Sequence, residues 1–136
     1  MSSHTLNHPT LNSALTGISV LNGRIHQYRN LKFASVPARF ARARLMETYP
    51  SQLDCTQFGP VAPQIPLGNL FAIPVDQIVL PKLKLDEFEC LNLNVTVPAQ
   101  RAEGLLLPVF VFIYGGANKA GTANIPLYGR FINWVF

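Results

Sequence analysis

The residues in this chain best suited to chemistry are two glycines at the end of an apolar run, Gly115 and Gly116, followed by Ala117. Val109 to Ile113 before them are all apolar, β-branched or aromatic, with no polar alternation. Such a run predicts a strand covered on both faces, as in a parallel sheet. Glycines at its end leave backbone N–H groups unscreened by any Cβ. Bare amides delivered to a sheet edge can hold the oxygen that turns negative when an acyl carbonyl is attacked. The predicted donors are the N–H groups of Gly116 and Ala117, with Gly115 completing the loop.

Acyl transfer also needs a nucleophile, a base to take its proton and an acid to orient the base. Ser2, Ser3, Ser13, Ser19, Ser35 and Ser51 all lack glycines two residues away on both sides, and none follows a buried run. No nucleophile is assigned. His4 and His8 lie in a polar N-terminal stretch and His26 in a hairpin strand, so the three read as ordinary surface histidines. Asp86, Glu87 and Glu89 sit beside Lys82 and Lys84 with no histidine near, which reads as a solvated face. No metal-ligating set is expected. Cys55 and Cys90 fit neither a zinc site nor a disulfide-rich scaffold, and read as buried thiols.

The elements that must position the loop follow from local signals. Gly17 to Ile25 predicts a hairpin, with Asn22-Gly23 supplying two positive-φ positions between short apolar strands. Residues 24–33 continue extended. Between 37 and 84 lie seven prolines (Pro37, Pro50, Pro60, Pro63, Pro66, Pro74, Pro81), so loops and short turns are expected. Leu91, Leu93, Val95 and Val97 alternate with Asn92, Asn94 and Thr96, the period of a half-buried strand that Pro98 ends. Residues 1–16 read as a loose polar leader, and 17–136 as one partial domain. The apolar tail 131–136 is expected to promote self-association or aggregation unless it docks.

Composition narrows the function classes. The 136 residues are 49% hydrophobic and 13% charged, which excludes disorder. The net charge of +4 is scattered, with one cluster at Arg39, Arg42 and Arg44, and no aromatic-and-basic stripe suggests nucleic acid. No apolar stretch reaches membrane-spanning length, and none at the N-terminus resembles a signal segment, so a cytoplasmic protein is expected.

The order of these signals resembles the beginning of the type B carboxylesterase family of esterases, lipases and cholinesterases. The hairpin Gly17–Tyr28 is followed by Leu31-Lys-Phe-Ala-Ser-Val-Pro-Ala-Arg-Phe40, similar to the family's apolar stretch with prolines and an Arg-Phe pair. Phe58-Gly-Pro-Val-Ala-Pro-Gln64 resembles its Gly-Pro-x-Cys-Pro-Gln turn, and Glu89-Cys-Leu-Asn-Leu-Asn-Val95 its strand beginning acid-acid-Cys. Val111-Phe-Ile-Tyr-Gly-Gly-Ala-Asn118 resembles its oxyanion loop.

The resemblance implies the N-terminal part of an α/β-hydrolase sheet: antiparallel edge strands plus the strand leading to the oxyanion loop, in truncated form. It implies a small-molecule ester substrate for the completed enzyme and no cofactor. A non-catalytic, cholinesterase-like binding module, or a truncated product without function, is the alternative. Ala117 stands at the third oxyanion glycine, tolerable at negative φ, and Asn118 at the aromatic that usually follows. Ala62 stands at the turn's cysteine, which leaves Cys55 as the candidate partner of Cys90. In the family the arginine of the Arg-Phe pair bonds an acid just before the strand cysteine. Phe88 occupies the usual acid's place, so Glu87 or Glu89 is expected to pair with Arg39.

Overall fold

The computed structural model describes residues 2–65, 82, 84–102 and 104–124. Expectations for the tail 131–136, and for the path around Pro66, Pro74 and Pro81, fall outside these residues. The described chain forms β1 (Ser3–His8), β2 (Ser13–Val20), β3 (Ile25–Lys32), β4 (Ala34–Ser35), β5 (Arg44–Leu45), β6 (Gln52–Asp54) and β7 (Asn92–Pro98), with no helix among the described residues. Four strands run in the order β1-β2-β3-β7, all neighbours antiparallel.

Ser3–His8 and the residues that follow do not form the loose leader expected of 1–16. Ser3–His8 pairs residue for residue with Ser13–Ile18, from Ser3↔Ile18 to His8↔Ser13. The segment looks polar because one face of β1 is wet, while His4, Leu6 and His8 on the other are half-buried. The β2–β3 hairpin forms as expected, with Val20↔Ile25 as its last pair. Asn22 (φ 55°) and Gly23 (φ 82°) are left-handed, and Leu21 (φ 50°) joins them in two overlapping turns closed by Gly23 N→Val20 O and Arg24 N→Leu21 O.

β2 is the centre of the sheet. β1 takes one edge, and β3 shares the other with β6, which pairs in parallel through Ala14↔Gln52, Leu15↔Leu53 and Thr16↔Asp54. Cys55 wedges where β3 departs: its N–H donates to Thr16 O (2.7 Å) and its carbonyl accepts from Arg29 N–H (2.9 Å). A Cβ on Gly17 would lie 2.5 Å from Gln27 O and 2.7 Å from the Tyr28 ring, so only glycine lets β3 cross so closely here. Leu15, Tyr28 and Cys55 form the buried cluster, with Leu6, Leu11, Leu31, Leu53 and Val97 packed around it.

β7 forms where expected, but its alternation is blurred. Leu93 is exposed and the rest of the strand half-buried. The polar face is occupied too, because Asn92 and Asn94 hold loops and not water (below). A bulge puts Arg29 and Asn30 of β3 opposite Asn94, between the pairs Tyr28↔Val95 and Leu31↔Leu93. Asn30 there is left-handed (φ 57°), and its N–H donates to Asn94 Oδ1.

The buried strand expected at 109–113 does not form among the described residues. Residues 105–116 belong to no ladder, and Val109 and Ile113 are each 85% exposed. A wholly apolar strand needs strand neighbours and a layer on each face, and the described sheet, built from residues 3–98, supplies neither.

Candidate active site

The proline-rich turn is fixed first. Val61 bridges Leu85, with Val61 N→Lys84 O and Asp86 N→Val61 O both at 2.9 Å. Asp86 Oδ1 then accepts the N–H groups of Phe88 (2.9 Å) and Glu89 (3.1 Å), which winds residues 86–89 into a tight turn. These bonds hold the Asp86 carboxyl below its usual range. The turn sends neighbouring acids to different cations. Glu87 takes Arg39 in a two-point contact, Nε–Oε2 2.9 Å and Nη2–Oε1 2.6 Å, while Glu89 takes Lys32 at 2.6 Å. The ion pair expected for Arg39 is therefore present, with Glu87 as the acid. Its hydrogen bond to Arg39 lowers the Glu87 pKa.

On the other side of the turn, Phe58 carries the Arg29 guanidinium 3.9 Å above its ring. Asn92 Nδ2 donates to Pro60 O (2.8 Å), and Asn124 Nδ2 to Gly59 O (3.0 Å). Asn94 Nδ2 reaches Asn124 Oδ1 at 3.1 Å. Gln64, the last residue of the Pro-Gln turn, accepts the Gly121 N–H on Oε1 at 2.6 Å. Gln64 closes the Pro-Gln motif, whereas Asn124 carries no sequence signal of its own. The one local hint was that Asn92 and Asn94 are amides, not charges, on the polar face of a strand.

The segment these residues hold is the glycine loop. Gly116 O accepts from Lys119 N–H (3.0 Å) and Ala120 N–H (3.2 Å). The left-handed positions of that turn are Ala117 (φ 53°) and Asn118 (φ 56°), not the glycines. Ala117 thus has the φ sign opposite to the one that would make it an easy substitute for glycine, a strain of about 1–2 kcal/mol. Gly116 is glycine for packing reasons, since a Cβ there would overlap the Ala120 carbonyl oxygen. A Cβ on Gly115 would meet nothing, so that position stands open.

The N–H groups of Gly116 and Ala117 donate to no acceptor among the described residues. Gly116 is half-buried and Ala117 exposed.

The other candidate groups are scattered. Ser19 Oγ lies 3.1 Å from His26 Nδ1, but the two are a cross-strand pair in mid-sheet. His26 stacks on His4, ring centroids 3.7 Å apart and 4° from parallel, so these two are not the plain surface histidines expected. Burial, then the His4 charge, lowers the His26 pKa. Both thiols are free: Cys55 is buried and Cys90 half-buried. Burial, then Asp54, pushes the Cys55 thiol up to about 11. Among the described residues no group of three metal-type ligands gathers, and no helix is long and apolar enough to cross a membrane.

An antiparallel edge sheet feeding a proline-rich turn and a glycine loop is the N-terminal part of an α/β-hydrolase. Residues 9–132 match the model of the carboxylesterase family, and the chain belongs to that family. It is 34% identical over 127 residues to lipase 3 of Yarrowia lipolytica, covering 88% of this chain and 25% of that one. Lipase 1 of the same yeast is 38% identical over 116 residues, 82% of this chain and 21% of the lipase. Acetylcholinesterase of Bungarus fasciatus is 30% identical over 132 residues, 93% of this chain and 21% of that enzyme. The fold matches a PNB esterase structure with a TM-score of 0.69 at 27% identity, over 93% of this chain and 24% of that one. The chain thus spans between a fifth and a quarter of the length of these relatives.

Proposed function

We propose that these residues form the N-terminal portion of a serine carboxylic-ester hydrolase, contributing one wall of its oxyanion hole and neither nucleophile, acid nor base. The observation that carries the reading is the Gly115–Ala120 turn. Its back is closed by bonds to Gly116 O, while the Gly116 and Ala117 amides have no acceptor among the described residues. In the completed enzyme a serine attacks the ester carbonyl, and the oxygen that gains charge needs N–H donors already in place. The loop brings such donors. The relatives named as lipases, together with the acetylcholinesterase and the PNB esterase, support an ester as the substrate class.

The 136 residues alone are then catalytically silent. Donors without a serine beside them have no covalent step to accelerate. The purified chain should hydrolyse an activated aryl ester no faster than an unrelated protein does, and a fluorophosphonate probe should leave it unlabelled. Turnover blocked by that probe would overturn the assignment.

A further inference from the structure

We propose that Gln64 is a positioning residue for the glycine loop, acting through the Gly121 N–H to set where the Gly116 and Ala117 amides lie. The inference rests on the oxyanion-loop reading for its functional meaning.

The chain of contacts is short. Residues 105–114, which lead into the loop, belong to no ladder among the described residues and are exposed. The far end is different, since Gly121, Thr122 and Asn124 are buried. Two side-chain links join this end to the Pro-Gln turn: Gln64 Oε1 to Gly121 N–H at 2.6 Å, and Asn124 Nδ2 to Gly59 O at 3.0 Å. Asn94 ties the second link to β7.

Gly121 is left-handed (φ 136°), and a Cβ on it would lie 2.5 Å from Gly115 O and 2.8 Å from the Tyr114 ring. Its backbone is therefore packed directly against the start of the loop. One residue earlier, the Ala120 carbonyl fills the space above Gly116 where a Cβ would be. Moving Gly121 moves Ala120, and moving Ala120 moves Gly116. Of the two side-chain links, the hydrogen bond to Gln64 is the one made to this stack directly, at Gly121. Gln64 is only half-buried, so its side chain can be changed without opening the core. Its Nε2 is buried without an acceptor among the described residues, so Oε1 is the atom that the Gly121 contact uses.

The test compares Gln64→Met, which keeps the shape but removes the acceptor, with Gln64→Glu, which keeps an acceptor. Each is made in the whole chain labelled with 15N-glycine and 15N-alanine. Gln64→Met should make Gly121 N–H exchange roughly two- to tenfold faster, the range of one neutral hydrogen bond. It should also shift the Gly116 and Ala117 amide resonances, with Gly17 on β2 unmoved. Gln64→Glu should return all three signals toward the parent.

Unchanged Gly116 and Ala117 resonances in Gln64→Met would overturn the proposal. So would loss of the Gly17 signal along with them, because Gln64 would then serve the fold as a whole. Serine-directed turnover by the chain refutes the reading under Proposed function without touching these signals, so the two can fail separately.

Discussion

The exposed run before the glycine loop should make this chain associate with itself. Val109, Val111 and Ile113 recur at every second position and are 85%, 74% and 85% exposed. Fully burying one such side chain contributes about 1.5–3 kcal/mol, so three at this exposure offer about 4–7 kcal/mol per chain. Two copies packing these faces together would gain about 7–14 kcal/mol, against an association cost of about 4–15 kcal/mol. Only the favourable end of these ranges leaves a surplus of about 4–8 kcal/mol, which is weak pairing in roughly the micromolar to millimolar range.

An extended backbone outside any ladder adds a second route, edge-to-edge pairing into larger species. The perturbation is Val109→Lys with Ile113→Lys, which removes two of the three apolar groups and sets like charges opposite each other in a pair. Sedimentation velocity across a concentration series should show oligomers in the parent, and at least a tenfold rightward shift of the transition in the double variant. An apolar dye should fluoresce with the parent and much less with the variant. A parent chain still monomeric and dye-silent at roughly 1 mM, the weak end of that range, would refute the reasoning, for then the run is covered in solution.

Two further outcomes follow from the charges. Because the folded state lowers the His26 pKa below 6.5, the native hairpins bind fewer protons than the unfolded chain. This contribution is fully present above that pH and is lost as pH falls through it. A proton-shift titration should place His26 below 6.5, and His4→Gln should raise it by removing the stacked charge; no movement would refute the coupling. Glu87 should titrate below its ordinary 4.5, its contribution being present above that pH and lost below it. Arg39→Gln should return Glu87 toward 4.5 and Lys32→Gln should not; equal effects would show that the Arg39 contact is not specific.

The sequence by itself determined what depends on neighbours along the chain. Asn22-Gly23 marked the β2–β3 hairpin because few residues tolerate positive φ. The alternation from Leu91 to Val97 marked β7, and the order of the short motifs marked the family. Arg39 could be assigned an acidic partner, but not which one. That choice depended on Asp86, whose side chain folds residues 86–89 so that Glu87 and Glu89 point to different cations.

Tertiary structure alone decided the rest, because the deciding contacts join residues far apart in sequence. β1 has one large apolar residue, Leu6, among polar ones, and it is a strand because β2 offers it a matching edge. The run 109–113 has every local property of a strand and lacks one here, because a ladder requires a neighbour that its own composition cannot supply. The glycine loop shows both sides: Gly115-Gly116 located it, whereas the left-handed turn falls on Ala117 and Asn118. What anchors it is a pair of amides, Gln64 and Asn124, whose role exists only because the sheet brings residues 59–64 and 121–124 together.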